Sequence, residues 1–128
     1  MMAMLADEPA FEQTDLSTIR YAIVGGEPMP IPLIERWHKK GVPVRQGYGL
    51  TEFGPNVFSL NEEDAIRKKG SVGFANFYIA TKIVNEQGKE VTDGEIGELC
   101  LKGPVCTEGY WNNPKATKET IDQGWLKT

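Results

Sequence analysis

The sequence is poor in the residues that build disulfide frameworks and metal centres. It has two cysteines, Cys100 and Cys106, one histidine, His38, and no CxxC pair. That excludes a disulfide-stapled scaffold and any readable zinc site. Long apolar runs are also missing, and none approaches the about 20 residues that span a membrane. The start carries Asp7 and Glu8 and no basic stretch, unlike a secretory signal. Basic charge is short too. Fourteen Lys and Arg against 18 Asp and Glu leave a net charge of −4, the wrong sign for general nucleic-acid binding. These absences predict a cytoplasmic protein with no membrane span, no nucleic-acid partner and a reduced core thiol at Cys100.

What is present is ordinary for a soluble globular chain. The 128 residues are 40% hydrophobic and 25% charged, a length that buries about two-thirds of the unfolded surface. Glycine stands out, since 14 of them exceed the average share of roughly 7%. The excess predicts turns and close backbone approaches. No internal repeat or low-complexity tract occurs.

Residues 20–24, RYAIV, read as a buried strand ended by Gly25-Gly26. Pro28, Pro30 and Pro32 forbid strand pairing and suit a first helical turn. From Pro32 to Lys40, Leu33, Ile34 and Trp37 form an apolar stripe, and Gly41 suits the position after the helix end. His38 falls on the polar side and is expected to face solvent. Residues 42–45 read as the next strand. Strand, helix and strand with short links predict a parallel βαβ unit. Residues 61–70 read as a helix capped by Asn61, with acids in its first turn and Arg67, Lys68 and Lys69 in its last. Residues 78–85 and 95–102 alternate and predict antiparallel strands, with Ile79, Thr81 and Ile83 on one face. Asn113-Pro114 starts a final helix that Gly124 is expected to end. The expected fold class is α/β: a partial parallel βαβ subdomain at 1–69, then a small antiparallel β-rich subdomain at 70–128.

Chemistry concentrates in Gln46-Gly47-Tyr48-Gly49-Leu50-Thr51-Glu52. It follows the second strand of the βαβ unit, where α/β sheets bind ligands. Its glycines admit close backbone approach. Tyr48 offers a stacking face, Thr51 a hydroxyl for a phosphate oxygen, and Glu52 a hard oxygen for Mg²⁺. A Gly-rich hairpin turn with a helix cap fits the same residues at least as well. Gly25-Gly26-Glu27-Pro28 ends the first strand and lies at the same sheet edge. By itself it too reads as a turn, but two such loops on adjacent strands favour a cleft.

Gly-Gly-Glu-Pro, QGYGLTE, GELCLKGP, GYWNNP and GWLKT occur in this order, and together they resemble the AMP-forming acyl-CoA synthetases of the adenylate-forming superfamily. The resemblance implies that the backbone of Gly26, Glu27 and Pro28 lies against adenine and that Tyr48 stacks on its other face. It implies that Gln46, Gly47, Tyr48 and Gly49 border the acyl-adenylate, that Thr51 contacts the α-phosphate and that Glu52 binds Mg²⁺. The implied reaction activates a carboxylic acid with ATP to an acyl-adenylate, releases pyrophosphate, and passes the acyl group to CoA with loss of AMP. Fatty and aryl acids are both open, and the bulky apolar residues around Glu52 lean towards fatty acids. Phe53 and Phe58 either line an acyl pocket or pack in the core, the latter being the expectation, as it is for Tyr110 and Trp111.

The family's Ser/Thr/Gly-rich phosphate loop with its Lys does not occur within these 128 residues, nor does the Asp that follows GWLKT in the family. The chain is therefore expected to be a central fragment of the parent's large N-terminal domain, inactive alone and prone to self-associate. The rival expectation is a non-catalytic nucleotide-binding or interaction module.

Overall fold

A computed structural model describes all residues, 1–128. The elements, in chain order, are α1 (Met2–Asp7), β1 (Ala22–Val24), α2 (Ile31–Lys39), β2 (Val44–Leu50), β3 (Gly54–Ser59), α3 (Asp64–Arg67), β4 (Phe74–Ala75), β5 (Ala80–Val84), β6 (Glu98–Lys102), α4 (Pro114–Thr120), β7 (Ile121–Asp122) and β8 (Trp125–Lys127). They form two four-stranded sheets, ordered β1-β2-β3-β4 and β5-β6-β8-β7. The chain divides into two compact units, Met1–Gly49 with Phe58–Phe74, and Leu50–Val57 with Ala75–Thr128.

The first unit holds the expected parallel βαβ. Ala22, Ile23 and Val24 of β1 pair with Val44, Arg45 and Gln46 of β2. Between them, Pro30 precedes α2 in an extended conformation and Pro32 sits in its first turn, where a missing N–H costs nothing. The stripe read from the sequence is buried: Ile34 is 1% and Trp37 5% exposed. Burying a side chain the size of Ile34 contributes roughly 1.5–3 kcal/mol. These two meet Ala6, Phe11, Met29, Val42 and Val44 in one core. The Phe11 ring stands edge-on to Trp37 at 5.0 Å. Outside it, Arg36 reaches both Asp7 and Glu12 and lies over the Phe11 ring. α1 was not legible in the sequence, because its burial comes from packing on α2.

Three expectations for this unit need correction. The second strand begins at Val44 and runs on to Leu50, so the QGYG motif is strand, and the turn comes after it. His38 is not solvated. It is half-buried, and its Nε2 accepts the Val44 N–H at 3.0 Å. The chain doubles back directly after α2, and the first N–H of β2 finds its acceptor in the helix's last turn. The helix expected over 61–70 is only the four residues of α3, with Glu63 at its N-cap and no side-chain cap. Ala65 is buried but Ile66 is 60% exposed. Without an apolar stripe to bury, a costly helical nucleus does not propagate. The acids serve instead as partners, Asp64 holding Arg67 and Lys68.

The second unit holds the expected antiparallel sheet. β5 and β6 pair from Ala80–Lys102 to Val84–Glu98. β6 then pairs with β8, which β7 flanks. The alternation in residues 78–85 needs correction. Thr81 and Ile83 do share a face with Leu99 and Leu101, yet Ile83 is 44% exposed while Val84 on the other face is 6% exposed. β5 is an edge strand, so burial follows the neighbouring loop and strand rather than the period. Leu101 and Leu126, paired across β6 and β8, are both fully buried. Over the opposite face the Trp125 ring sits 4.3 Å from Lys82 Nζ and 5.8 Å from Lys102 Nζ. Both ammonium groups thus lie over the ring in cation–π contact. Cys100 is 2% exposed and unpaired, and burial raises its thiol pKa. α4 starts as expected, with Asn113 Oδ1 accepting the Ala116 N–H at 3.1 Å. It ends at Thr120 rather than Gly124, which instead helps turn the chain between β7 and β8.

Candidate functional site

β1 and β2 run parallel, and Val24 is paired with Gln46. The loop after Val24 therefore starts beside Gly47, at the carboxyl end of β1 and midway along β2; the carboxyl ends of parallel strands are where α/β sheets bind ligands. Neither backbone carries a side chain there, and a Cβ at either glycine would stand in ordinary contact with a neighbouring carbonyl. A Cβ on Gly25 would lie 3.4 Å from the Gly47 carbonyl oxygen, and one on Gly47 would lie 3.4 Å from that of Phe58. Gln46, 4% exposed, ties the loop to the strand, its side-chain oxygen accepting the Met29 N–H at 2.6 Å.

These contacts leave a cleft of about 220 Å³, smaller than the roughly 300–1,000 Å³ of pockets that enclose a drug-sized ligand. It suits one flat group rather than a whole nucleotide. Gly26, Glu27 and Pro28 line one side, and Gln46, Gly47, Tyr48 and Gly49 another. The Tyr48 ring is half-buried and held edge-on by Phe58, with centroids 5.9 Å apart. The four residues expected at the adenine, Gly26, Glu27, Pro28 and Tyr48, and the other three expected along the acyl-adenylate, Gln46, Gly47 and Gly49, thus line one cleft. Gly70 and Val72 complete the lining, and sequence reasoning missed both. Gly70 reads as the end of the helix expected over 61–70, Val72 lies beyond it, and no local signal marks either as a cleft residue.

Thr51 and Glu52 belong to the second unit, on the turn after β2. Thr51 is exposed and Glu52 half-buried. The Glu52 carbonyl accepts the Thr107 N–H at 2.7 Å. Its carboxylate Oε1 accepts the Tyr110 O–H at 2.6 Å. That hydrogen bond, first of all, holds the Glu52 carboxyl below the usual carboxylate range, and it raises the Tyr110 phenol in turn. Tyr110 was expected only to pack. Fifty-eight positions separate it from Glu52, and nothing in either motif announces the pairing. Trp111 does not pack as expected but is 93% exposed, whereas Phe53 is core at 1%.

The AMP-binding enzyme family matches this chain over residues 1–111. The long-chain-fatty-acid–CoA ligase of Salmonella typhimurium is 42% identical over 125 residues, 97% of this chain and 22% of that protein. The feruloyl-CoA synthase of an Amycolatopsis species is 36% identical over 126 residues, 98% of this chain and 26% of that protein. The structure of O-succinylbenzoate coenzyme A synthetase from Bacillus subtilis, in complex with ATP and magnesium ion, superposes with a TM-score of 0.83 at 36% identity. That match covers 99% of this chain and 26% of the other. The chain thus spans about a quarter of the length of the relatives it matches. With most of its residues matched, the chain belongs to the AMP-binding enzyme family, and its relatives are the acyl-CoA synthetases that its motifs resemble.

Proposed function

We propose that this chain supplies the adenine-binding edge and the metal-binding turn of an AMP-forming acyl-CoA synthetase. Residues 1–69 would be the end of its α/β subdomain and 70–128 its β-rich subdomain, working in the cytoplasm. The observation that carries this reading is the cleft between residues 26–28 and 46–49, floored by bare backbone and walled by Tyr48. Backbone groups there can read the edge of a flat base without a side chain in the way. The Tyr48 face adds stacking, worth roughly 1–3 kcal/mol per base in nucleic-acid complexes.

Thr51 places a hydroxyl one residue before Glu52, where it would donate to an α-phosphate oxygen. Mg²⁺ in nucleotide enzymes is held by one or two carboxylates with substrate phosphates and water. This chain fits that mode. No three His, Cys, Asp or Glu side chains gather anywhere in it, and Glu52 offers one hard carboxylate already oriented by Tyr110. When bound, Mg²⁺ offsets the negative charge that builds as pyrophosphate leaves. The chain's own share is to hold adenine, orient the α-phosphate and fix the carboxylate, so that a carboxylic acid meets the phosphorus in line. CoA thiol would then take the acyl group. The substrate is a carboxylic acid, fatty or aryl, and the names of the relatives span both classes.

Titration of AMP into the isotope-labelled chain, followed by amide resonances, tests this reading. Shifts should concentrate at Gly26, Glu27 and residues 46–49, with a Kd on the order of millimolar, or ~4 kcal/mol. Tyr48→Ala should abolish them. Shifts spread elsewhere, or unchanged by Tyr48→Ala, would reject the adenine assignment.

A further inference from the structure

The motif GYWNNP, which carries Tyr110, leads into α4 through a set of close contacts. Gly109 has φ 147° and no room for a side chain, since a Cβ would lie 2.5 Å from the Thr117 methyl group. Next to it, the Tyr110 N–H donates to Thr117 Oγ1 at 2.9 Å. The Thr117 hydroxyl donates in turn to the Asn113 carbonyl at 2.9 Å, and Asn113 caps α4. The first turn of α4 therefore fixes where the Tyr110 backbone sits. From that position two groups reach Glu52: the Thr107 N–H takes its carbonyl and the Tyr110 hydroxyl takes Oε1.

We propose that Tyr110 is a positioning residue for the metal-binding carboxylate, holding Glu52 in one rotamer by donating to Oε1 and leaving Oε2 for Mg²⁺. This rests on the reading of Glu52 above. A half-exposed glutamate otherwise spreads over many rotamers, and ordering it is a cost that metal binding would have to meet. Donation from a neutral phenol keeps the negative charge on the carboxylate, where a lysine in the same place would offset it. Tyr110 is itself 37% exposed, so water competes for its hydroxyl. The expected effect is therefore near the low end for a hydrogen bond to a charged group, about tenfold in metal affinity.

The test uses the full-length enzyme that carries this chain and measures binding as well as rate. Electron paramagnetic resonance of Mn²⁺ with ATP gives the metal dissociation constant. ATP–pyrophosphate exchange against Mg²⁺ concentration gives the half-saturating metal and the maximal rate. Tyr110→Phe keeps the ring and removes the hydroxyl. It should weaken Mn²⁺ binding and raise half-saturating Mg²⁺ about tenfold, with the rate at saturating metal within about threefold of wild type. Trp111→Phe, in the same motif, should change neither. In a Glu52→Ala background, Tyr110→Phe should have no further effect on Mn²⁺ binding, as coupled residues require. Unchanged metal affinity in Tyr110→Phe, or a fall in maximal rate alone, would overturn the positioning role while leaving Glu52 in place. Wild-type enzyme that binds no Mn²⁺ with ATP would overturn the function proposed for Glu52, and this inference with it.

Discussion

The side-chain oxygen of Gln46 accepts the backbone N–H of Met29 at 2.6 Å, in a spot where Gln46 is 4% and Met29 8% exposed. One hydrogen bond thus joins the end of the first motif to the start of the second. Gln46→Leu keeps the bulk and leaves the Met29 N–H buried without an acceptor. That costs about 1–3 kcal/mol, read as a lower urea midpoint at unchanged slope. The loop should also loosen, with faster amide exchange at Gly26 and Glu27. Unchanged stability would mean that water replaces the glutamine.

His38 should make the fold sensitive to mild acid. Burial lowers its pKa first, Lys69 adds to that, and Glu35 opposes it. Its Nε2 must stay unprotonated to accept from Val44. In the unfolded chain it titrates near its ordinary value of about 6.5. The folded pKa is the lower one, so the unfolded state binds more protons in the window between them. The stability from neutral His38 is complete above about pH 6.5 and is lost as pH falls through the folded value. Denaturation midpoints of wild type and His38→Gln, compared between pH 8 and 5, should converge as pH falls. Parallel curves would remove His38 from the acid response.

Ile23 should mediate self-association of the isolated chain. It is 67% exposed on β1, which ends its sheet and pairs only with β2. An open edge carrying an apolar side chain is a pairing site. Sedimentation of the chain at tens of micromolar should report a dimer or larger, and Ile23→Lys should return it to 14.2 kDa. A wild-type monomer at high concentration would reject this.

Glu52→Gln in the full-length enzyme should lower the adenylation rate by several orders of magnitude with the fold intact, because an amide keeps the shape and loses the charge that holds Mg²⁺. A near-normal rate at saturating Mg²⁺ would remove Glu52 from the mechanism. The 128-residue chain alone should give no ATP–pyrophosphate exchange with any fatty or aryl acid. It contains no Ser/Thr/Gly-rich loop with a lysine to hold the β- and γ-phosphates.

The sequence by itself determined the parts that rest on local rules. Proline placement and the spacing of Ile34 and Trp37 specify α2, Asn113-Pro114 specifies the start of α4, and strand–helix–strand order specifies the parallel pairing of β1 with β2. The ordered motifs pointed to the family, and seven of the residues they named line one cleft, while Thr51 and Glu52 belong to the other unit. Tertiary structure decided the rest, because those features depend on partners far along the chain. α1 is a helix because α2 covers it. His38 is neutral and half-buried because Val44 returns beneath it. Val84 rather than Ile83 is buried because β5 lies at a sheet edge. Gly70 and Val72 line the cleft, and Tyr110 reaches Glu52, only after the chain has closed loops of twenty to sixty residues. A periodic pattern encodes which side of an element is apolar. What that side meets, and which polar groups find each other across the fold, is set by packing and by the need of each buried N–H and oxygen for a partner.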